Sequence, residues 1–307
     1  DPTVALDAAP GGDEPAAGGV ALAPGVALGV AARVLRDALA AAGVDRPDPE
    51  VGWLLEAATG LGRAEQVLER ERPLEANEAA RLVAWAERRV RREPLQLVLG
   101  VAPFYGFDVQ VRPGVLVPRP ESERLVELVL DRLRDVARPR VHDVGTGSGA
   151  IALALAAARP DATVTASDVD PTAVLVARAN ATALGLTVAV WASDLLADPI
   201  VRRAAAEAQA LVANLPYLPE SDRGTLPPEV AHDPPGALFA GPDGLDLARR
   251  LAREAAPLVR PGATVWWELD PRNVAVFVAE LEASEAWAEV ACFRDLTGRD
   301  RFVMARR

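Results

Sequence analysis

One stretch decides the fold: Val141-His-Asp-Val-Gly-Thr-Gly-Ser-Gly-Ala-Ile-Ala-Leu-Ala-Leu-Ala-Ala-Ala158. It combines a short apolar run, three glycines that alternate with other residues, and an alanine-rich segment of helical period. This order predicts a strand, a tight loop and a helix. Because Gly145, Gly147 and Gly149 lack a Cβ, the backbone here can turn sharply and approach a bound molecule closely. We therefore expect a ligand at this loop.

The glycine spacing alone is a weak signal. It is one residue shorter than the Gly-x-Gly-x-x-Gly loop that seats a dinucleotide pyrophosphate on a helix N-terminus. About twenty residues further on, an alternating run ends at Asp168, where a carboxylate can bind both hydroxyls of a ribose. Loop, strand and acid together predict a nucleoside site.

Asp143 narrows the choice of nucleoside. A carboxylate just before the glycines would repel a pyrophosphate, whereas it suits an ammonium group, reached directly or through water. S-adenosylmethionine carries an ammonium group and a ribose but no phosphate. The sequence therefore favours S-adenosylmethionine over NAD or FAD, by charge complementarity.

Composition excludes several classes of protein. The 307 residues carry a formal net charge of -11, and all 33 basic residues are arginine. An acidic chain is a poor generic binder of phosphate backbones, so no direct nucleic-acid substrate is expected. No apolar run is long enough to span a membrane, and a cytoplasmic monomer is expected. The two histidines are far apart and the single Cys292 is expected to be buried, so no metal site is predicted.

The chain divides by pattern into four segments. Residues 1–25 are mostly Ala, Gly, Pro and Asp with few large apolar side chains, and they predict a flexible tail. Residues 26–94 have helical periodicity and predict a bundle of four helices, the fourth capped by Asn77. Its last turn is rich in arginine, which fits a solvated helix end or, alternatively, a patch that meets a partner. Residues 95–117 predict a linking β-hairpin whose strands are 96–99 and 107–111.

Residues 118–307 predict an α/β domain. After a helix from Ser122, strands are predicted near 140–144, 162–168, 187–191, 209–213, 263–268, 287–293 and 301–306, with helices near 149–158, 171–184, 243–259 and 272–283. Such alternation gives a mostly parallel sheet covered on both faces, with ligands at the carboxyl ends of the strands. Four side chains stand at or beyond such ends and should share one crevice: Asp143, Asp168, Asp194 and Asn214.

A second motif follows the fourth strand of this domain. The apolar run 210–213 stops at Asn214-Leu-Pro-Tyr217. Asn and Pro can simply end a strand, but this position lies across from the glycine loop, which favours a functional role.

These motifs carry a family resemblance. The glycine loop, Asn214-Leu-Pro-Tyr217, Val117-Pro-Arg-Pro-Glu-Ser-Glu123 and Asp295-Leu-Thr-Gly-Arg-Asp-Arg301, with the helical front segment, resemble the release-factor glutamine methyltransferases (PrmC/HemK). The resemblance runs from about Val26 to the C-terminus. It implies a class I methyltransferase with a seven-stranded sheet, S-adenosylmethionine as donor, and as substrate the glutamine of the Gly-Gly-Gln motif in class-one peptide chain release factors.

The resemblance also implies residue roles. The loop Gly145, Thr146, Gly147, Ser148 and Gly149 holds the methionine end of the donor, and Asp168 holds the ribose. Leu195, after Asp194, lines the adenine. Asn214, Leu215, Pro216 and Tyr217 hold the glutamine amide.

Leu215 departs from the family pattern, which has proline there. The contact expected from this position is the backbone carbonyl, which leucine also supplies, so the chemistry should survive with a less rigid loop. Asn-Leu-Pro-Tyr is also similar to ribosomal-RNA adenine dimethyltransferases, which are the main alternative. The acidic charge and the position of the helical segment argue against it. A non-catalytic homologue that only binds a protein is a further alternative.

Overall fold

The computed structural model describes residues 19–307, so residues 1–18 of the tail predicted for 1–25 lie outside the described residues. The chain divides into two compact units, Asp1–Arg92 and Glu93–Arg307. Ordered contacts begin before residue 26, because the Gly25 N–H donates to the Leu74 carbonyl oxygen at 2.8 Å. Within the described residues, no helix combines the length and apolar character needed to cross a membrane.

Residues 19–92 of the first unit contain four helices, as the periodicity indicates. They are α1 (Leu28–Ala41), α2 (Pro47–Thr59), α3 (Arg63–Leu68) and α4 (Ala76–Val90). Their shared core includes the fully buried Leu35, Leu39, Leu54 and Leu82. Apolar residues at helical spacing thus produce the bundle.

Two local expectations in this unit were wrong. Asn77 does not cap α4, which begins one residue earlier; the Glu78 carboxylate accepts the Glu75 N–H at 2.9 Å instead. The arginines at the end of α4 are not all solvated. Arg89 is 3% exposed and pairs with Glu50, and Arg92 donates to the Gly43 carbonyl oxygen at 2.8 Å. Arginine stems bury easily when the guanidinium finds acceptors.

The second unit opens with a helix and a hairpin. Helix α5 (Leu95–Leu99) occupies the run that was expected to be the first strand, and Gly100 ends it at φ +78°. The hairpin pairs β1 (Val101–Phe104) with β2 (Phe107–Gln110). A run of four or five apolar residues fits a helix or a strand equally well, which explains the error.

The rest of this unit alternates strands and helices. The strands are β3 (Arg140–Val144), β4 (Thr163–Asp168), β5 (Val188–Ala192), β6 (Ala210–Ala213), β7 (Thr264–Glu268), β8 (Glu289–Arg294) and β9 (Asp300–Arg306). The helices are α6 (Glu121–Arg132), α7 (Ala150–Ala158), α8 (Pro171–Ala183), α9 (Pro199–Glu207), α10 (Asp246–Ala255) and α11 (Pro271–Ala283). Helix α9 was not predicted, although Asp198 caps it and Pro199 occupies its first turn.

The seven strands form one sheet in the order β5-β4-β3-β6-β7-β9-β8. Strand β9 pairs antiparallel with both β7 and β8, and the other six strands share one direction, which confirms the mostly parallel, seven-stranded prediction. Strand β7 is buried on both faces, and its adjacent Trp266 and Trp267 enter the apolar cores on opposite sides of the sheet. Cys292 is exposed on the edge strand β8, so its expected burial was wrong.

The chain order places a ligand crevice beside β3. From β3 the chain proceeds to β4 and β5 on one side, and then returns to β6 on the other side of β3. Ligands of open α/β sheets bind at the carboxyl ends of strands where the order reverses in this way. The segments that follow β3, β4 and β6 are therefore brought together.

Candidate active site

The glycine loop is tied to the end of the neighbouring strand by its own backbone. The N–H groups of Gly145 and Thr146 both donate to the Ser167 carbonyl oxygen, at 2.8 and 2.9 Å. The N–H of Gly147 donates to Oδ2 of Asp168 at 2.8 Å. Gly145 and Gly147 have φ angles of +73° and +57°, which glycine adopts without strain. The loop thus has a single, pre-formed shape.

Gly149 has a different task from the other two glycines. It begins α7 with φ +87°, and a Cβ there would lie 3.1 Å from the Cβ of Ala177 on α8. It does not line the cavity described below. Its small size permits close packing of the two helices, and it starts the helix that follows the loop.

Asp168 is held rigidly at the end of β4. Its two carboxylate oxygens accept the N–H groups of Gly147 and Asp170, at 2.8 and 2.9 Å. Burial raises the pKa of this carboxyl, while the two backbone hydrogen bonds oppose that rise. Each oxygen keeps a second lone pair, so the fixed carboxylate can still accept hydroxyl groups from a ligand.

Asp143 lies behind the loop. It is 1% exposed, and its Oδ2 accepts the Thr146 hydroxyl at 2.6 Å. Its Oδ1 has no hydrogen-bond partner among the described residues, and burial raises its pKa to about 7. Asp143 is not among the residues that line the cavity, so a role toward an ammonium group stays a prediction.

His142, on the same strand, is fully buried. Its two ring nitrogens lie 2.8 Å from Thr165 Oγ1 and 3.0 Å from Ser167 Oγ. Burial lowers its pKa to about 4, so the ring is neutral at pH 7. His142 therefore supports the strand and takes no part in the cavity.

The segment after β5 forms another wall. Leu195 is 6% exposed and adopts φ +49°, which turns the chain sharply after Asp194. The Asp194 carboxylate pairs with Arg250 at 2.8 Å and remains half exposed. The wall therefore offers one apolar side chain and one solvated carboxylate.

Asn214 ends β6 and is held by a chain of polar side chains. Its Nδ2 donates to Ser122 Oγ at 2.9 Å, and the Ser122 hydroxyl donates to Oε2 of Glu268 at 2.7 Å. Ser122 opens α6 and Glu268 ends β7, and both are at most 2% exposed. With Nδ2 engaged, Oδ1 of Asn214 is left to face another partner.

Leu215 and Tyr217 behave differently from each other. Leu215 is buried against the glycine loop: a Cβ added to Gly145 would lie only 2.6 Å from Leu215 Cδ2. Tyr217 is turned away from the cavity lining, and its carbonyl oxygen accepts Asn273 Nδ2 at 3.3 Å. Burial, reinforced by the negative charge of Glu268, raises the pKa of the Tyr217 phenol, so the ring is neutral.

These segments enclose a cavity of about 250 Å³. Of the residues that the sequence singled out, the cavity is lined by Gly145, Thr146, Gly147, Ser148, Asp168, Asp194, Leu195, Asn214, Leu215 and Pro216. Asp143, Gly149 and Tyr217 lie outside its lining. The glycine loop, Asp168 and Asn214 therefore line the same cavity, as their positions at the strand ends predict.

Sequence reasoning missed two groups of lining residues. One comes from the segment before α6 and the first turn of that helix, and includes Val115, Pro118, Arg119 and Ser122; the other lies between β6 and α10 and includes Pro234 and Ala237. The stretch 117–123 had been noticed for its family resemblance, but it was given no role. Glu268 also carried a signal, since it is an acid at the end of an apolar strand.

The lining suits a nucleoside that carries no phosphate. A rigid carboxylate stands at the end of β4, and a glycine backbone without Cβ atoms leaves room for close approach. The Asp168 carboxylate accepts backbone N–H groups and brings negative charge to the cavity, whereas the Asp194 carboxylate is paired with Arg250. These features fit S-adenosylmethionine and oppose a pyrophosphate.

Comparisons with known proteins give the class and then the family. Residues 31–100 match the PrmC N-terminal domain, and residues 121–222 match the Methyltransferase small domain. The fold is similar to that of the hMettl16 catalytic domain solved with the MAT2A 3'UTR hairpin 6 (TM-score 0.54, 17% identity, 75% of this chain and 81% of that one). The protein is a class I methyltransferase that uses S-adenosylmethionine.

Curated relatives narrow this to a family. The chain is 46% identical to a release factor glutamine methyltransferase of Deinococcus radiodurans, over 88% of this chain and 94% of the relative. Relatives of the same name from Moorella thermoacetica and Gloeobacter violaceus are 39% and 38% identical, over 92% and 83% of this chain and 97% and 89% of their own. The chain belongs to the release factor glutamine methyltransferase family.

Proposed function

We propose that this protein transfers a methyl group from S-adenosylmethionine to the side-chain amide nitrogen of the glutamine in the Gly-Gly-Gln motif of class-one peptide chain release factors. The observation that carries the proposal is Asn214, a cavity-lining amide whose Nδ2 is already engaged by Ser122. Its free Oδ1 is an acceptor suited to a planar NH₂ group. Family membership supplies the class of substrate.

The donor would be held by the glycine loop and the acids of the neighbouring strands. Asp168 binds the ribose hydroxyls, Leu195 contacts the adenine, and the loop 145–149 contacts the methionine end. When bound, S-adenosylmethionine supplies a methyl group on a positively charged sulfur. Asp143 behind the loop and Asp194 at the rim, where it pairs with Arg250, are the further carboxyl groups proposed for the positive charge of the donor.

The residues that hold the substrate amide orient its nitrogen and do not need to act as a base. An amide nitrogen is a poor nucleophile because its lone pair is shared with the carbonyl. Oδ1 of Asn214 and the carbonyl oxygen of Leu215 accept the two N–H bonds and hold the nitrogen in line with the methyl group. Both acceptors interact more strongly as the nitrogen becomes positive, so they stabilise the transition state more than the ground state.

Water is excluded and the proton leaves without a dedicated base. Pro216 lines the cavity and packs on the planar group, with Tyr217 behind it. Once the new bond has formed, the nitrogen is strongly acidic and loses its proton readily.

The helical segment 26–94 is proposed as the substrate-recognition domain, joined to the catalytic domain 118–307 by the segment 95–117. Its match to the PrmC N-terminal domain and its exposed apolar residues support this role. Val67 and Leu68 are 71% and 83% exposed. We expect Leu68→Ser to raise the KM for a release factor about tenfold, the scale of losing one apolar anchor, and to leave donor affinity unchanged.

The decisive experiment is a methyl-transfer assay with labelled S-adenosylmethionine and three acceptors: a purified release factor, its Gly-Gly-Gln variant with the glutamine replaced by alanine, and ribosomal RNA. We expect label on the first acceptor only. Label on RNA alone would establish the alternative that Asn-Leu-Pro-Tyr resembles, an adenine methyltransferase. Absence of label on all three, with normal donor binding, would favour a non-catalytic protein-binding homologue.

A further inference from the structure

A buried carboxylate stands behind Asn214 without a charged partner in hydrogen-bond contact. Glu268 is 1% exposed; its Oε2 accepts the Ser122 hydroxyl, and its Oε1 has no hydrogen-bond partner among residues 19–307. Burying a charge with so few contacts costs free energy of folding, and many uncharged side chains could end the strand at a lower cost. Its contact with Ser122 connects it to the substrate site.

The ionised carboxylate determines the direction of the whole chain of hydrogen bonds. A carboxylate accepts only, so the Ser122 hydroxyl must donate its single proton to Glu268. Ser122 Oγ can then only accept from Asn214, which must present Nδ2 to it. The amide oxygen of Asn214 is consequently turned toward the cavity.

A neutral side chain at 268 removes this constraint. A protonated carboxyl can donate to Ser122 Oγ, and the serine proton is then free to point at Asn214. The amide can turn over, with Oδ1 on Ser122 and Nδ2 toward the cavity. In that orientation the NH₂ of Asn214 opposes the NH₂ of the substrate, and the site is unproductive.

We propose that Glu268 is a positioning residue that acts through Ser122 to hold the Asn214 amide with its oxygen toward the acceptor nitrogen. This inference rests on the proposed function, because it assigns the orientation of the same site. Neither Glu268 nor Ser122 needs to touch the substrate. Through this chain of three side chains, Asn214 presents only a hydrogen-bond acceptor to the cavity.

The hydrogen bonds that link Glu268, Ser122 and Asn214 predict how turnover depends on pH. Burial raises the pKa of Glu268 to about 7, opposed by the Ser122 hydrogen bond. The charged or titratable groups that face it are Arg119 and Glu121 before and at the start of α6, Tyr217 after β6, and Arg301 on β9. Because the ionised form is the productive one, kcat should rise with pH through this pKa and level off above it.

The kinetic test compares pH profiles of kcat on a release factor. Wild type should lose about fivefold in kcat at one pH unit below the pKa, where about a tenth of the group is ionised and the neutral form keeps about a tenth of the plateau kcat. Glu268→Gln and Ser122→Ala should each lower the plateau kcat about tenfold, because Asn214 turns its amide oxygen away from the substrate in part of the molecules. Both variants should also flatten the limb of the profile in which kcat rises with pH. Ser122→Thr, which keeps the hydroxyl, should retain both the plateau and the limb.

Binding measurements separate positioning from general damage. Donor affinity by calorimetry and the KM for the release factor should be unchanged in Glu268→Gln, so that the loss falls on kcat alone. Glu289→Gln removes a carboxylate from β8 that pairs with Arg306, and it should leave the profile as in wild type. A Glu268→Gln enzyme with the wild-type limb, whether or not its kcat is lowered, would overturn the proposal.

A second measurement does not require the release factor as methyl acceptor. Carbon-13 NMR of glutamate-labelled protein, with Glu268→Gln to assign the signal, follows the Glu268 carboxyl directly. We expect Ser122→Ala to raise its pKa further, because the hydroxyl stabilises the ionised form. An unchanged titration would overturn the chain of hydrogen bonds. If this titration behaves as expected but wild type does not methylate the release factor, the proposed function fails and the link between Glu268 and Ser122 stands.

Discussion

The two sides of the cavity are built in different ways. The centre of the donor side is made from one contiguous segment and the adjacent strand end: the glycine loop donates three backbone N–H groups to Ser167 and Asp168. The acceptor side depends on distant segments. Asn214 is held by Ser122, 92 positions earlier, and Ser122 contacts Glu268, 146 positions later.

This difference predicts how each side of the cavity responds to amino-acid substitutions. Backbone hydrogen bonds on the donor side survive most side-chain changes, apart from those at glycine or Asp168. On the acceptor side each link is a single side chain, so one substitution disconnects it. Changes on the donor side should appear in binding, and changes on the acceptor side should appear in turnover.

Replacing Asn214 by alanine should have the largest effect. We expect kcat to fall on the order of a hundredfold or more, the scale of losing one positioned polar contact, with donor affinity largely kept. Methyl transfer to a release factor and calorimetry with S-adenosylmethionine measure the two quantities. Turnover like that of wild type would remove Asn214 from the mechanism.

Asp168→Ala should act on the other side. It removes the proposed ribose contact together with the anchor of the Gly147 N–H, so we expect donor affinity to weaken by about tenfold to a hundredfold. Asp161→Ala, which removes an exposed acid paired with Arg159, is the matched control and should leave affinity unchanged. Unaltered affinity in Asp168→Ala, measured by calorimetry, would refute the ribose assignment.

The two sides meet at Gly145 and Leu215, and a double substitution tests that contact. In Gly145→Ala the new Cβ would lie 2.6 Å from Leu215 Cδ2, at a φ of +73°. We expect about tenfold weaker donor binding and a lower Tm, since a left-handed alanine alone costs about 1 kcal/mol. Adding Leu215→Ala should relieve the clash and recover part of the loss.

Gly262→Ala isolates the backbone cost in the Gly145 experiment. Its φ is +85°, and a Cβ there meets no atom of the described chain within 4 Å. It should therefore lower the Tm by the conformational penalty alone. Strictly additive losses in the Gly145→Ala/Leu215→Ala pair would show that the two sides are not in energetic contact.

The same difference explains what the sequence could predict. The strands of the sheet, and its helices apart from α9, were predicted within a few residues, because apolar runs, glycines and proline caps are local signals. Asp168 and Asn214 were placed correctly in one crevice by the rule for strand ends. Helix α5 was taken for a strand because so short an apolar run carries no period.

Ser122 and Glu268 were missed for a physical reason. Their importance arises only from a contact across the fold, between the start of α6 and the end of β7, and no spacing along the chain encodes it. Asp143 and Tyr217 illustrate the converse. Both stand beside cavity residues in sequence, but neither belongs to the cavity lining.

The smallest effect is expected from Leu215→Pro, which installs the residue usual in the family. If the contact from this position is the backbone carbonyl, proline preserves it and restricts the loop, so kcat should stay within about threefold of wild type. Proline also lacks the Cδ2 that approaches Gly145, so the double variant Gly145→Ala/Leu215→Pro should bind the donor better than Gly145→Ala. A large loss of kcat in Leu215→Pro would mean that the leucine side chain, and not its carbonyl, shapes the acceptor site.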